Sequence, residues 1–232
     1  ETIIKIIESF KSNGDIELYM KQSIRDPNLE LEVIYGDIKD KKILSKIEFL
    51  DLIKKFEEHT YYTNLGETST LDIRCELRNK HKSVPSSMRL TIEGLDQIQK
   101  YCKTDMLESI NYSLIDKKRY KDVKNPSTKY DSIHSSEYPC RINLKYEKDI
   151  QNDSREAELF TKDWSKKNKG YRYKKRYSFL SLNKIWRIDI TGIKQTNISE
   201  YFKTFRQSKL LQQPERYELE IEYVGTNKIP TF

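Results

Sequence analysis

The sequence predicts an α+β fold: a closed antiparallel β-barrel of about eight strands that forms a charged tunnel, with helices packed on the outside. Segments in which apolar and polar residues alternate at period two recur along the chain, mostly with short or irregular connections. Amphipathic helical segments stand between them. Several alternating segments also carry one sign of charge along one face, and a barrel can turn such a face inward.

Seven segments have the alternation that is typical of strands. They are residues 28–35, 70–77, 88–93, 141–147, 171–179, 185–191 and 217–223. Antiparallel neighbours in a sheet can be joined by short connections, whereas parallel strands need long crossovers. The spacing of these segments therefore favours one antiparallel sheet that closes on itself.

Helical periodicity marks four further segments, residues 2–11, 43–58, 95–101 and 198–208, which we expect to pack on the barrel. Residues 120–139 have no periodicity and are predicted to form a long, mobile surface loop. No internal repeat or domain boundary is visible. We therefore expect residues 1–232 to form a single domain, and its start at Glu1 rather than Met suggests excision from a longer protein.

The composition excludes several classes of protein. Charged residues make up 34% of the chain and hydrophobic residues 36%, but 11% aromatic residues argue for a folded core rather than disorder. No apolar run approaches the roughly 18 residues of a membrane span, and no signal peptide is visible. Cys75, Cys102 and Cys140 form no CxxC pair, which argues against structural zinc and disulfides and favours a reducing compartment. The net charge of +7 suits an anionic partner such as nucleic acid.

Three predicted strands carry a row of like charges on one face. The rows are Glu30 and Glu32; Arg172, Lys174 and Arg176; and Glu218, Glu220 and Glu222. If the apolar faces pack under the helices, these rows line the lumen. Clustered carboxylates call for a divalent cation, and oxygen ligands favour Mg²⁺ or Mn²⁺ over zinc. Cations on the opposite wall would hold a polyphosphate, but each row alone is also consistent with the solvated face of an ordinary sheet.

Four charged motifs follow one another along the chain. They are LELEV with Glu30 and Glu32, YRYKKRYSF with Arg172, Lys174 and Arg176, WRIDIT with Arg187 and Asp189, and YELEIEY with Glu218, Glu220 and Glu222. In this order they resemble the triphosphate tunnel metalloenzymes, and in particular the RNA triphosphatase domains of mRNA capping enzymes from giant DNA viruses of the mimivirus type. The wider superfamily begins with ExExK; the position of that lysine is Ile34 here, which favours the capping branch.

The resemblance implies a role for each glutamate of the motifs. Glu30, Glu32 and Glu222 would bind Mn²⁺ or Mg²⁺ directly. Glu220 would contribute to the metal site through a metal-bound water, or would orient the attacking water as a base. Glu218 would pair with a cation of the tunnel wall.

The resemblance also assigns the basic residues of the motifs to the substrate. Arg172, Lys174, Arg176 and Arg187 would hold phosphate oxygens, and Asp189 would fix a basic neighbour. All four cations and Asp189 belong, with Glu30, Glu32, Glu220 and Glu222, to the expected catalytic set.

Further candidates lie outside the four motifs. Arg89 precedes a predicted helix where the family has a phosphate-binding arginine, and Arg141 and Lys145 share one face of their strand. We expect all three to bind substrate. Glu147 is a candidate for orienting water, whereas Lys175 has the opposite parity and is expected outside the barrel.

The expected function is metal-dependent hydrolysis of the β–γ phosphate bond of triphosphate-ended RNA, the first step of mRNA capping. Expected partners are 5′-triphosphate RNA, nucleoside triphosphates as a further substrate, and additional capping domains in the same chain, but no membrane. The host cytoplasm or the virion is the expected location. Two alternatives stay open: a tripolyphosphatase or nucleoside triphosphatase of the same fold, and a non-catalytic basic RNA-binding module.

Overall fold

The computed structural model describes residues 19, 21–24, 26–36, 44–79, 82–119, 132–135 and 139–225. The strands within these ranges are β1 Leu29–Tyr35, β2 Tyr62–Asn79, β3 Lys82–Glu93, β4 Tyr112–Arg119, β5 Ile133–His134, β6 Cys140–Ile150, β7 Lys169–Ser181, β8 Trp186–Gln195 and β9 Arg216–Tyr223. The helices are α1 Lys46–Glu58, α2 Leu95–Thr104, α3 Arg155–Thr161 and α4 Phe205–Ser208, with 3₁₀ turns at Trp164–Lys166 and Leu210–Gln212.

Eight of the strands form a closed antiparallel barrel. Their order is β1-β9-β8-β7-β2-β3-β4-β6, and pairing between β6 and β1 completes the ring. The short strand β5 pairs with residues 141–142 of β6 as an additional strand. The closed antiparallel barrel that the alternating segments predict is thus confirmed.

The apolar faces of the strands turn outward and build two core clusters under the helices. Phe49, Ile53 and Phe56 of α1 belong to one cluster, together with Leu219 and Ile221 on the outer face of β9. The second cluster lies on β2, β3 and β4 and includes apolar side chains from α2 and α3. Because the hydrophobic core lies outside the ring, the inward faces of the strands are available for polar residues.

Local sequence signals fix the helix that covers the β8–β9 wall. Ser45 is the N-cap of α1: its hydroxyl accepts a hydrogen bond from the Glu48 backbone N–H at 3.2 Å, and Glu48 accepts one from the Ser45 backbone N–H at 2.8 Å. This capping box satisfies two backbone donors that a helix N-terminus leaves open. It places the start of α1 at Lys46, three residues inside the predicted segment 43–58.

Several predicted boundaries differ from the structure. β4 was not among the predicted strands, because Asp116, Lys117 and Lys118 put charged residues on both of its faces. The predicted helix 198–208 is wrong except for α4: Ile198 is 66% exposed, and Phe202 instead exchanges backbone hydrogen bonds with Lys169 at the start of β7. The helix α3 was also not predicted.

Two predicted segments fall wholly or largely on residues that the structure does not describe. Helix 2–11 lies outside the described residues, and so does most of the loop 120–139. In the described part of that loop, residues 133–134 form β5. Among the helices of the described ranges, none is both long and apolar enough to cross a membrane.

Candidate active site

The barrel encloses a cavity of about 570 Å³ that is lined almost entirely by charged and hydroxyl side chains. Every strand of the ring contributes to it. Its charged lining residues are Glu30, Glu32, Arg74, Arg89, Glu93, Lys117, Lys145, Glu147, Asp149, Arg172, Lys174, Arg176, Arg187, Glu220 and Glu222. The charged rows of the sequence therefore face the lumen and are not the solvated faces of an open sheet.

Strands β1 and β9 bring the carboxylates of the two glutamate motifs together. Glu32 lies directly opposite Glu222 in the antiparallel register, and Glu220 lies opposite Ile34. Glu32 is only 3% exposed. Residues from opposite ends of the described chain thus form one acidic wall, since β1 is hydrogen-bonded to the last strand.

Each carboxylate of this wall is matched by a cation. Lys117 contacts Glu30 at 2.6 Å. Lys145 forms an ion pair with Glu32, which also accepts a hydrogen bond from Asn143 at 3.2 Å. On the adjacent strand, Arg187 forms an ion pair with Glu222.

The pKa of Glu222 on this wall is raised, mainly because its carboxyl group is buried. Burial raises the pKa of the Glu222 carboxyl to about 7, with nearby Glu30 and Asp189 adding to the effect, although Arg187 opposes it. A carboxylate in this setting takes up a proton more readily than usual, and a cation can occupy the same position instead.

The donor set Glu30, Glu32, Glu220 and Glu222 fits a hard divalent cation, because such ions prefer carboxylate oxygens. In the described ranges, no three acidic, histidine or cysteine side chains converge closely enough to coordinate an ion as they stand. The carboxylates are turned toward Lys117, Lys145 and Arg187 instead. Binding a metal would require these side chains to exchange cation partners.

Strand β7 supplies the basic wall, because Arg172, Lys174 and Arg176 share its inward face. Arg172 donates to Glu218 at 2.7 Å, and Arg176 lies 3.3 Å from a carboxylate oxygen of Asp189. Asp189 also accepts from Arg187 Nε at 3.1 Å and from the Ser178 hydroxyl at 2.7 Å. Lys175, with the opposite parity, lies outside and contacts Glu67 at 3.1 Å.

A buried carboxylate on β2, Asp72, anchors the middle of the basic wall. Its carboxylate lies 2.9 Å from Lys174 Nζ and 3.7 Å from Arg89, and it accepts a hydrogen bond from the Thr91 hydroxyl at 3.0 Å. Burial alone would raise the pKa of Asp72, but Lys174 and Arg89 lower it to about 2. Burial lowers the pKa of Lys174 to about 8, although Asp72 partly offsets this effect.

Three guanidinium groups of the lumen have a buried donor that is not used. The Nε atoms of Arg89, Arg172 and Arg176 are buried and have no hydrogen-bond partner among the described residues. A buried donor without an acceptor costs about 1–3 kcal/mol, so such atoms are exceptional in folded proteins. The three arginines line one cavity, and guanidinium groups grouped in this way are suited to an anionic ligand with several oxygens.

The structure also places the remaining candidates. Arg89 and Lys145 line the cavity, and so does Glu147, which accepts from Arg89 at 3.1 Å and from Lys117 at 3.0 Å. Burial would raise the pKa of Glu147, but Lys117 and Arg89 outweigh it and the pKa is lowered. Arg141 is not among the residues of the cavity; its guanidinium donates to the Gly36 carbonyl at 2.9 Å, beside the end of β1.

Sequence reasoning missed four charged residues of the cavity lining, Arg74, Glu93, Lys117 and Asp149, and also the buried Asp72 beside the basic wall. Asp72 and Arg74 alternate with the buried residues Leu71 and Ile73 on β2, so strand parity alone could have identified their inward orientation. Lys117 lies on β4, which was not predicted.

These features define a closed antiparallel barrel with a charge-lined tunnel. Among solved structures, the triphosphatase of the mimivirus capping enzyme is similar, with a TM-score of 0.61 and 22% identity over 93% of this chain and 89% of that chain. The S. pombe Pct1 RNA triphosphatase in complex with the Spt5 CTD has a TM-score of 0.50 and 10% identity over 93% and 79% of the two chains. No protein-family model and no curated protein matches the chain. The chain therefore shares the tunnel fold of these two triphosphatases.

Proposed function

We propose that the protein is a metal-dependent RNA 5′-triphosphatase. It hydrolyses the β–γ bond of triphosphate-ended RNA and leaves a diphosphate end and inorganic phosphate. The observation that carries this proposal is the row of cations Arg172, Lys174 and Arg176, which lines one cavity together with the carboxylates of Glu30, Glu32, Glu220 and Glu222. The fold shared with the mimivirus capping triphosphatase supports the same assignment.

The basic side chains bind the triphosphate in an extended conformation. Arg172, Lys174 and Arg176 follow one another along the inward face of β7, so they present cations to successive phosphates. Arg89 contributes from β3, and Arg187 lies at the glutamate wall. Fixed cations stabilise the charge that develops on the phosphate oxygens in the transition state.

The glutamate wall holds the divalent cation, Mn²⁺ or Mg²⁺. Glu30, Glu32 and Glu222 are the direct ligands, with Glu220 beside them. When bound, the metal supplies Lewis-acid polarisation of a phosphoryl oxygen. Lys117, Lys145 and Arg187 form ion pairs with these carboxylates and would turn toward phosphate oxygens when substrate binds.

Glu220 orients the attacking water. In the described structure its contact is an ion pair of 3.8 Å with Arg176, which leaves its oxygens able to accept a hydrogen bond from water. The water oxygen forms a bond to the γ-phosphorus, and the bond to the bridging oxygen breaks, so the electron pair remains on the β-phosphate. Glu147, held by Arg89 and Lys117, is the second candidate for orienting this water.

The same assignment has implications for the full-length protein and for its place in mRNA capping. We propose that residues 1–232 form one triphosphatase domain of a longer capping enzyme that acts in the host cytoplasm or the virion. Its substrate is the 5′ end of nascent viral RNA, and its product is the acceptor for the next capping step.

The decisive measurement is release of labelled phosphate from γ-labelled triphosphate RNA, with and without Mn²⁺ or Mg²⁺. Removal of one preorganised charge at a developing anion typically lowers kcat by about 10²- to 10³-fold. We therefore expect Glu32→Ala, Glu222→Ala and Arg176→Ala each to nearly abolish metal-dependent release. Glu67→Ala removes a carboxylate of the outer surface and serves as the matched control.

The outcomes separate the alternatives. If two of the three variants keep more than about a tenth of the wild-type rate at saturating metal, the tunnel is not the active site. Faster turnover of tripolyphosphate or ATP than of RNA would favour the polyphosphatase alternative. RNA binding without phosphate release at any metal concentration would favour the remaining alternative, a non-catalytic RNA-binding module.

A further inference from the structure

A second cavity, of about 200 Å³, opens beside the start of β7 and the end of β8. It shares Arg74 and Arg172 with the central cavity, so the two spaces adjoin at these side chains. Its other walls include the apolar surfaces of Pro85 and Tyr201 and the side-chain amides of Gln195 and Asn197. Pro85, Tyr201, Gln195 and Asn197 have no role in the hydrolysis described above.

Arg74 is the cation at the junction of the two cavities. It has no hydrogen bond or ion pair with the described residues, although it is partly buried. Its guanidinium lies near Arg89 and Arg172, and burial together with these two cations lowers its pKa. Arg74 therefore contributes positive charge at this junction, which the nearby carboxylate of Asp72 offsets only in part.

The two ends of the tunnel differ in charge. A cavity of about 610 Å³ at the other end is lined by Glu30, Glu147, Asp149 and Glu222, with Arg187 as its cation. The end at β7 carries Arg74 and Arg172, with Asp72 beside them, so its cations outnumber its carboxylates. An extended triphosphate chain has one orientation that places its terminal phosphate at the carboxylates, where a metal neutralises it, and its other end at the arginines.

The smaller cavity has the chemistry that recognises a nucleoside. An aromatic ring offers a stacking surface for a base, and amide groups form hydrogen bonds with base edges or ribose hydroxyls. Gln195, Asn197 and Tyr201 line this cavity beside Arg172. The cavity is smaller than the roughly 300–1,000 Å³ of a typical ligand pocket, so it suits one terminal group rather than an oligonucleotide.

We propose, building on the proposed function, that this cavity binds the first nucleoside of the RNA, with Arg74 on the α-phosphate. The triphosphate then enters the tunnel with its γ-phosphate leading, from the arginine end toward the glutamate wall. Tyr201 and its neighbours make the enzyme distinguish an RNA end from inorganic polyphosphate, because polyphosphate has no group to occupy the cavity.

The test compares triphosphate RNA with inorganic tripolyphosphate in steady-state phosphate release. We expect Tyr201→Ala to raise the KM for triphosphate RNA by about tenfold, as expected from loss of one stacking contact, with kcat within about twofold. The ratio of the two KM values, RNA over tripolyphosphate, therefore rises. Arg74→Ala raises both KM values, since the third phosphate of tripolyphosphate lies at the same position as the α-phosphate.

Matched controls and a second variant guard against misfolding. Tyr61→Ala and Arg155→Ala remove an exposed tyrosine and an exposed arginine and should leave the ratio unchanged. In Gly170→Ala the new Cβ would lie 3.7 Å from Thr196 Oγ1 and 3.8 Å from Tyr201 Cδ1, which are ordinary contacts, so the variant should fold. It narrows the cavity and should raise the KM ratio as well.

Two outcomes would overturn the inference, and they can be told apart. An unchanged KM ratio in both Tyr201→Ala and Gly170→Ala, in an active enzyme, would show that no nucleoside binds here and would leave the proposed function intact. A wild-type protein that releases no phosphate from either substrate would overturn the proposed function, and the nucleoside site with it.

Discussion

Asp72 shows how one buried side chain can set the charge of a binding wall. It lies between Lys174 and Arg89 and is only 2% exposed. A buried carboxylate is stable in its charged form only when cations face it, and these cations in turn keep their charge because of the carboxylate. Asp72 does not need to contact substrate to affect phosphate binding, since it holds two of the cations that would.

We expect Asp72→Asn to weaken both the fold and the activity. Breaking a buried ion pair typically costs about 3–5 kcal/mol, which urea denaturation would measure. Loss of the carboxylate also lowers the pKa of Lys174 further below about 8, so more of this lysine is neutral near pH 8. The loss of kcat/KM should therefore be greater at pH 8 than at pH 6.5.

The matched control for this prediction is Glu67→Gln, which breaks the exposed pair with Lys175. It should change the unfolding free energy by less than about 1 kcal/mol. A loss of activity in Asp72→Asn that does not vary with pH would show that Lys174 does not titrate in this range.

At the residue scale, the motif residues were the ones that sequence could predict. Glu30, Glu32, Arg176 and Glu222 lie in short repeats whose spacing is recognisable, and the structure places them around one cavity. Asp72 lies in no such repeat, because its role depends on Lys174 and Arg89, which are distant in the chain. Their proximity follows from the strand order of the barrel and cannot be deduced from local spacing.

Strand parity makes a prediction at the scale of one element, β7. Lys174 and Lys175 are adjacent in sequence, but Lys174 faces the lumen and Lys175 is 44% exposed on the outside. We expect Lys174→Ala to lower kcat/KM by at least tenfold, since it removes a cation from the phosphate wall. Lys175→Ala should change it by less than about twofold, and equal effects of the two would contradict the orientation of β7.

The capping box of α1 can be tested without touching the lumen. Ser45→Ala removes one side-chain cap, which typically costs about 1 kcal/mol of stability. The midpoint of urea denaturation should fall, whereas phosphate release per folded molecule should stay at the wild-type value. A change in KM would contradict this expectation, because it would show that the cap of α1 affects substrate binding in the lumen.

At the element scale, alternation identified strands well where one face is buried under a helix. In β9, for example, Leu219 and Ile221 pack outward while Glu220 faces inward. The signal failed for β4, where both faces carry charge, and for residues 198–204, where apolar residues occur at helical spacing but Phe202 pairs with Lys169 through backbone hydrogen bonds. Hydrophobic periodicity arises when one face of a helix or strand is buried. It therefore does not identify an element that has no such buried face.

For the molecule as a whole, metal binding should be visible as increased stability. A ligand that binds only the folded state, present at about 100 times its Kd, adds about 2.7 kcal/mol. For a chain of this size that corresponds to a rise of several degrees in the thermal midpoint. We expect Mn²⁺ to produce this shift in the wild-type protein and not in Glu32→Ala.

K⁺ provides the control for this measurement. K⁺ at equal ionic strength should give no shift, which excludes general screening of the charged lumen. A shift of equal size in wild type and Glu32→Ala would place the metal outside the glutamate wall.

The position of β1 between β6 and β9 has a consequence for how the protein folds during its synthesis on the ribosome. The first strand emerges early but can complete neither of its two pairings until β6 and β9 have been synthesised. Such non-local pairing is slow to form. A nascent chain that has not yet emerged through Tyr223 therefore lacks a complete glutamate wall, and hydrolytic activity should arise only after this last strand has left the exit channel.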